Sequence, residues 1–522
     1  MSFKLTYATM FDPPEELHQR FEAALAEVRS TLGTRYELYI GGRDVAGSAT
    51  LDKYSPADSR VLLGRFAVAD AALVERAMAS AQAAFPPWRA TPAAERIRLS
   101  RRAADVIEAR VYQLAAALCL EVGKNRMEAL GEAQEVVEFF RGYADDYEKN
   151  GGYDRPLPDD PLKGFRSHNR SVLKPYGVWV VIAPFNFPLA LAAGPTAAAL
   201  VTGNTVVAKG ASDTPWAVRL LAECLKAAGY PDGVFNYLAG SGAIVGEALV
   251  NHPAVAGITF TGSHAVGMRL ARQMLAGPYP RPCIAEMGGK NACVVTRHAD
   301  LDRAATGIVR SAFGLSGQKC SALSRVYVAD AVADGLLGRI LERTRAIRLG
   351  DPARRENWLG PVISAPAVQA FEGYCQQLRG DGGQLLVGGA RRSDGEHAAG
   401  NFVQPTIAEA PLTHALYAQE MFLPILMVAR VKGLHEGVAA ANASPLGLTA
   451  GCYGSEAEVE YFFEHIEAGT TYANRPQGAT TGAWPGYQAF VGWKGSASTG
   501  KAIGSFYYLP QYLREQSQTV VE

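Results

Sequence analysis

The chain has 522 residues, 48% of them hydrophobic and 20% charged, and its 51 Lys and Arg balance 51 Asp and Glu. At about 150 residues per domain this length predicts two to four domains, and the composition excludes a disordered or collagen-like chain. Zero net charge argues against a nucleic-acid partner or an anionic membrane surface, both of which reward a basic excess.

Seven cysteines, Cys119, Cys224, Cys283, Cys293, Cys320, Cys375 and Cys452, are scattered without CxxC spacing. That pattern is neither a disulfide framework nor a zinc site, and reduced thiols point to a cytoplasmic location. The histidines show no HExxH or paired spacing, so no metal is expected. The opening MSFKLTYATMFDPPEE has no apolar stretch behind a basic start, so no signal peptide is expected.

Tyr36 to Ile40 and Leu51 to Tyr54 read as short strands about a Gly-Gly turn. Helical spacing then runs from Ala69 through Leu73, Ala77 and Ala81. Thr91-Pro92 is an N-cap followed by proline at the first helical position, and helical periodicity continues from Ile97 to Leu114 and from Met127 to Tyr143. Lys149 to Gly164 is rich in Gly, Pro and Asp and predicts an extended arm. Val178 to Val201 carries no charge for 24 residues, long enough to cross a bilayer, but Pro184, Pro188 and Pro195 interrupt it. A buried strand, a loop and a small-residue helix is the better reading, and no membrane partner is expected. Apolar strand-length runs at Gly177 to Ile182, Thr205 to Ala208 and Gly257 to Phe260 alternate with helical stretches at Pro215 to Ala228 and Ala243 to Asn251. This alternation predicts a parallel sheet covered by helices, and Asn291 to Val295 with Arg325 to Val328 begins a second one. The last 30 residues, with Phe506, Tyr507 and Tyr508, predict a tail that needs a partner to cover it.

Four signals carry chemistry. Cys320 lies in Gly317-Gln318-Lys319-Cys320-Ser321, where Lys319 would favour the nucleophilic thiolate; the alternative is a small buried hydrophobe. Glu286 precedes a Gly pair in Glu286-Met287-Gly288-Gly289-Lys290-Asn291, so it is either a general base at a strand end or a solvated loop carboxylate. Asn186, in Pro184-Phe185-Asn186-Phe187-Pro188, is either a rigid donor to an oxyanion or part of a structural turn. Gly240-Ser241-Gly242 through Gly246 and Gly262-Ser263 each follow a strand and open a helix, where backbone N–H groups can meet a phosphate. The first of these has one residue too many for the dinucleotide fingerprint.

In chain order, Asn186 in PFNFP, Lys209 after a strand, FTGS at Phe260, EMGGK at Glu286, GQKC at Cys320 and QEMFLP at Gln419 resemble the aldehyde dehydrogenase superfamily, from about Tyr36 to the C-terminus. The resemblance implies an α/β fold of three parts: a Rossmann-like NAD(P)-binding domain (1–152 and 172–288), an α/β catalytic domain (289–490), and a small β bridging segment (153–171 and 491–522) whose two pieces pair across the subunits of a homodimer or larger homo-oligomer. It implies that Cys320 attacks an aldehyde, that Asn186 with the Cys320 N–H holds the oxyanion, and that Glu286 activates water to hydrolyse the thioester. NAD is the implied cofactor. Lys209 and Glu420 would hold its riboses, Phe422 would pack beside the nicotinamide ribose, and Ser263 with Gly240 and Gly262 would face the pyrophosphate. The ribose motif reads Lys209-Gly210-Ala211-Ser212 in place of Lys-Pro-x-Glu. The missing carboxylate at Ser212 removes a repulsion against a 2′-phosphate, so NADP is admitted.

Within the superfamily, GQKCSA at Gly317 and TGAWPGYQAF at Thr481 resemble the Δ1-pyrroline-5-carboxylate (glutamate γ-semialdehyde) dehydrogenases of proline catabolism. That implies a substrate carboxylate held by Ser321 and the N–H groups of Gly482 and Ala483. Phe187 and Phe490 would lie against its aliphatic chain and Glu135 would face its ammonium. The alternatives are another aldehyde oxidised by the same residues, or a cysteine thiol hydrolase, which would need a His partner.

Overall fold

The computed structural model describes residues 6, 9, 10, 12–476, 478 and 484–522. It opens with α1 (Glu15–Ser30), followed by α2 (Ala71–Ala90), α3 (Ala93–Ala109), α4 (Val111–Val122) and α5 (Arg126–Lys149). Helix α1 has no counterpart in the sequence reading, although Leu17, Phe21, Leu25 and Val28 recur at helical spacing and are buried, the helix packing on α4. Pro92 is the N-cap of α3, one residue later than its sequence suggests, and Arg110 divides the long periodic stretch into α3 and α4.

A seven-stranded sheet stands behind these helices in the spatial order Cys283–Glu286, Val255–Thr261, Val178–Ile182, Thr205–Lys209, Phe235–Leu238, Leu38–Ile40, Arg43–Val45. Its first five strands are parallel and the last two join antiparallel. The stretch read as Tyr36 to Ile40 thus splits: Thr34–Tyr36 pairs instead with Leu62–Val68 in a separate three-stranded sheet. The charge-free Val178 to Val201 is the middle one of the five parallel strands, a turn and α6 (Ala190–Val201), whose twelve residues are all buried against protein. No helix among the described residues is long and apolar enough to cross a membrane.

A second seven-stranded sheet runs Gln384–Val387, Thr406–Glu409, Ile425–Val431, Leu323–Ala329, Asn291–Val295, Thr449–Tyr453, Thr470–Ala473, parallel except at its first strand. The two sheets are joined by four residues, Met287 to Lys290, between the carboxyl end of one strand and the amino end of the next. Each sheet has its own buried apolar clusters.

The tail and the arm correct one expectation. Leu513–Val521 pairs antiparallel with Ser167–Pro175 of the same chain, from Leu513 opposite Pro175 to Val521 opposite Ser167, and Asp154–Leu157 adds the third strand. The two pieces therefore meet within one chain, because their long antiparallel register satisfies their backbone groups internally.

Candidate active site

In the first sheet Ile182 is in register with Lys209 and with Phe260, and Thr261 with Glu286. The segments carrying Asn186, Lys209, Gly240, Gly262 and Glu286 therefore all leave from the carboxyl ends of neighbouring parallel strands. The chain order of the strands reverses between Val178–Ile182 and Val255–Thr261, and at such a point an α/β sheet opens its ligand crevice. The second sheet presents its amino ends to the same place. Asn291 stands opposite Leu323, and Cys320 lies three residues before that strand begins.

The backbone leading to Cys320 is bent into the left-handed region at Leu315 (φ 49°), Ser316 (φ 53°) and Gly317 (φ 68°). Side chains hold it there: Glu128 accepts from Leu315 N at 3.1 Å, Ser316 Oγ donates to Gly360 O at 2.7 Å, and Gln318 Oε1 accepts from Ile363 N at 2.9 Å. Asn291 Nδ2 donates to Cys320 O at 2.6 Å and to Ala322 O at 2.8 Å, while its Oδ1 accepts from Thr449 N at 2.9 Å. Gly289 allows this approach, since a Cβ there would stand 2.5 Å from Cys320 O. Cys320 itself is part-exposed. Lys319 does not serve as expected from the sequence. Its ammonium is paired with buried Glu128, whereas burial and then the Glu286 carboxylate push the Cys320 thiol well up. The charge that meets the thiol is a base, not a cation.

Glu286 closes the strand Cys283–Glu286 and is 8% exposed. Neither carboxylate oxygen has a geometric hydrogen bond, and burial raises its pKa to about 7 against the opposing influence of the Cys320 thiol. It also lines a small cavity with Thr261, Ile284, Lys501 and Tyr508.

Asn186 is 2% exposed, and its carbonyl accepts from Lys124 Nζ at 2.7 Å. Lys124 lies 3.8 Å from the Phe187 ring centre and pairs with Glu132, whose other oxygen accepts from Leu189 N at 2.9 Å and Ala190 N at 3.1 Å. Lys319 Nζ lies 5.9 Å from the same ring, so the neighbours of Asn186 and Cys320 converge on Phe187.

The surroundings fit a dinucleotide. Lys209 is 5% exposed, its ammonium donates to Gly210 O at 2.9 Å, and burial lowers its pKa to about 8, leaving donor capacity for hydroxyl groups. Ser212 donates to Gly240 O at 3.2 Å, which ties the two loops together. Ser241 and Gly242–Gly246 form a wide turn before α7's successor α8 (Glu247–Asn251), α7 being Pro215–Ala228, so the glycine segment opens on a π-turn in place of a regular helix start. Ser263 is the exposed N-cap of α9 (His264–Leu275) and its side chain makes no capping bond there. Glu420 accepts from Gly289 N at 2.9 Å, and Phe422 (φ 56°) meets the Phe185 ring edge-on at 5.8 Å. Gly289, Lys319, Ser324, Glu420 and Phe422 line one crevice.

Among the residues expected at the substrate, Phe490 and Glu135 are buried and Phe187 and Ser321 part-buried, with Ser321 O accepting from Thr449 Oγ1 at 3.4 Å. Gly482 and Ala483 lie outside the described residues. No cluster of potential metal ligands occurs among the described residues. The sequence alone does not single out Asn291, Lys124, Glu128 or Glu132. Asn291 ends a motif already singled out, and Glu128, Glu132 and Glu135 recur at helical spacing on an apolar face, which is a signal for buried carboxylates.

The family model described as the aldehyde dehydrogenase family matches residues 44–517. A protein of Geobacillus thermodenitrificans named 1-pyrroline-5-carboxylate dehydrogenase is 39% identical over 510 residues, covering 97% of this chain and 96% of that protein. The solved 1-pyrroline-5-carboxylate dehydrogenase from Thermus with bound NAD superposes with a TM-score of 0.92 at 34% identity, covering 100% of this chain and 99% of that one. Proline utilization A from Bdellovibrio bacteriovorus gives 0.91 at 35% identity; 98% of this chain is covered, but it spans only 52% of that larger chain.

Proposed function

The chain belongs to the aldehyde dehydrogenase family, and on that premise we propose that it oxidises L-glutamate γ-semialdehyde, the open form of Δ1-pyrroline-5-carboxylate, to L-glutamate in proline catabolism. The observation that carries the reading is the pairing of a part-exposed thiol, Cys320, with a buried carboxylate of pKa about 7, Glu286. A base with that pKa takes a proton near neutral pH without being permanently charged. The likeness to named 1-pyrroline-5-carboxylate dehydrogenases over nearly the whole chain supports the substrate.

Glu286 draws the thiol proton, and Cys320 Sγ attacks the aldehyde carbon. Asn186 and the Cys320 N–H hold the oxyanion that forms. A bound nicotinamide dinucleotide supplies the hydride acceptor, NAD by likeness to the Thermus enzyme, with Lys209, Ser263, Glu420 and Phe422 holding it. Sγ is then left carrying the acyl group as a thioester, and Glu286, after releasing the thiol proton to solvent, activates the water that cleaves it. Ser321, Gly482 and Ala483 hold the distant carboxylate, Phe187 and Phe490 the aliphatic chain, and Glu135 the ammonium.

In this reading residues 1–152 and 172–288 bind the cofactor, 289–490 carry the nucleophile, and 153–171 with 491–522 bridge to a second copy. The exposed Leu162, Phe165, Phe506 and Tyr507 support that association. Seven free cysteines support a cytoplasmic location.

Mixing purified protein with glutamate semialdehyde and either NAD or NADP, and following absorbance of the reduced nicotinamide, tests the proposal. Turnover lost in Cys320→Ala with dinucleotide binding retained is expected. Turnover of simple aldehydes alone would refute the substrate, and ester hydrolysis without reduction would favour a hydrolase.

A further inference from the structure

Both loops of the candidate site hang from one helix. Glu128 and Glu132 are one turn apart near the start of α5 and are 2% and 0% exposed. Glu128 grips the nucleophile loop through Leu315 N and Lys319 Nζ. Glu132 grips the other loop twice. One oxygen accepts from Leu189 N and Ala190 N, the open N–H groups at the start of α6, where the N-cap residue is a leucine and cannot cap for itself. The other pairs with Lys124, which is 0% exposed and passes the contact on to Asn186 O at 2.7 Å.

We propose that Glu132, acting through Lys124, is the positioning residue that fixes the Asn186 backbone and hence the direction of its side-chain amide. This rests on the reading of Asn186 as the oxyanion donor. A buried ion pair is poor value as mere stabilisation, because the cost of removing two charges from water offsets their attraction. Its use here is geometric. A carboxylate offers two oxygens and an ammonium three donors, so the pair spans from the α6 N-terminus to the carbonyl of Asn186 and to the face of Phe187. Glu128 and Glu132 stand four residues apart on a rigid helix, about 6 Å of rise, so the same element sets the distance between nucleophile loop and donor loop.

The variants are Lys124→Met and the double change Lys124→Met with Glu132→Gln, which leaves no lone buried charge if the single variant fails to fold. Reduction of NAD by glutamate semialdehyde, Cys320-dependent hydrolysis of p-nitrophenyl acetate, and alkylation of Cys320 by iodoacetamide are measured on each. Ester hydrolysis also forms an oxyanion, whereas alkylation does not. The expected result is a fall in kcat of about 10- to 100-fold in both oxyanion-forming assays. Alkylation rate and KM for NAD should stay within about 2-fold, and adding Asn186→Ala should bring no further loss. Unchanged kcat in a folded variant, losses that multiply with Asn186→Ala, or alkylation falling in parallel would overturn the inference. Wild-type protein that hydrolyses the ester but oxidises no aldehyde would refute the proposed function and leave the ester assay to decide this one.

Discussion

The side-chain amide of Asn291 donates to the carbonyl oxygen of Cys320 at 2.6 Å, so the first residue of a strand in the second sheet holds the backbone of the nucleophile. Asn291→Ala would strand two buried groups, Ala322 O and Thr449 N, and the part-buried Cys320 O. At about 1–3 kcal/mol for each unsatisfied group, we expect a loss of at least about 3 kcal/mol in denaturant unfolding. kcat should fall with it, by more than the loss of folded protein accounts for. A variant with wild-type stability and turnover would show that the loop is held by other means.

Glu286 predicts the pH profile. Its pKa of about 7 places the ionised, base-competent form above neutrality. kcat/KM should rise as pH increases through about 7 and then level off. Glu286→Gln should remove this limb and slow both thiol attack and thioester hydrolysis, so that rapid mixing shows a slowed first turnover of reduced nicotinamide followed by a stall. A full-height steady rate in Glu286→Gln would assign the base elsewhere.

Gly288 separates cofactor binding from thiol chemistry. A Cβ at this position would stand 2.0 Å from Glu420 Oε2. Gly288→Ala must therefore displace Glu420, and we expect KM for NAD to rise about tenfold while iodoacetamide alkylates Cys320 at the wild-type rate. Calorimetric titration of the dinucleotide checks this, and unchanged affinity would remove Glu420 from the cofactor site.

Glu121 controls stability in a way unrelated to catalysis. It is fully buried, accepts from Trp216 N at 2.7 Å and Ala217 N at 3.0 Å at the start of α7, and burial raises its pKa from 4.5 to about 7. The folded state thus holds its proton more tightly than the unfolded chain. The associated stability is fully present below about pH 4.5 and is lost as pH rises through about 7, up to about 3 kcal/mol. Unfolding free energy followed from pH 5 to 8 should decline, and Glu121→Gln should flatten part of that decline. Glu286 contributes with the same sign.

The elements legible in the sequence are those whose pattern is local. Pro215–Ala228 and Asn291–Val295 have the predicted limits, because a capping proline and an unbroken apolar run mark their ends without outside help. Gly242 to Asn251 was legible only in part. Its glycines admit a wide turn that periodicity reads as ordinary helix.

Cys320, Glu286 and Asn186 stood out from the sequence because each sits in a short motif of Gly, Pro and aromatic residues at a strand end, where chemistry and turn geometry coincide. The role of Lys319 did not. Its charge beside Cys320 is plain in the sequence, but its neutralisation by Glu128, 191 residues away, depends on how α5 crosses the nucleophile loop. The same holds for Lys124 and Glu132: buried carboxylates and ammonium groups gain their meaning from partners brought together by packing. Strand and turn propensities act over a few residues and so are written in the chain itself. Desolvation, ion pairing and the aim of a carbonyl act through space, and only the folded arrangement of the two sheets decides them.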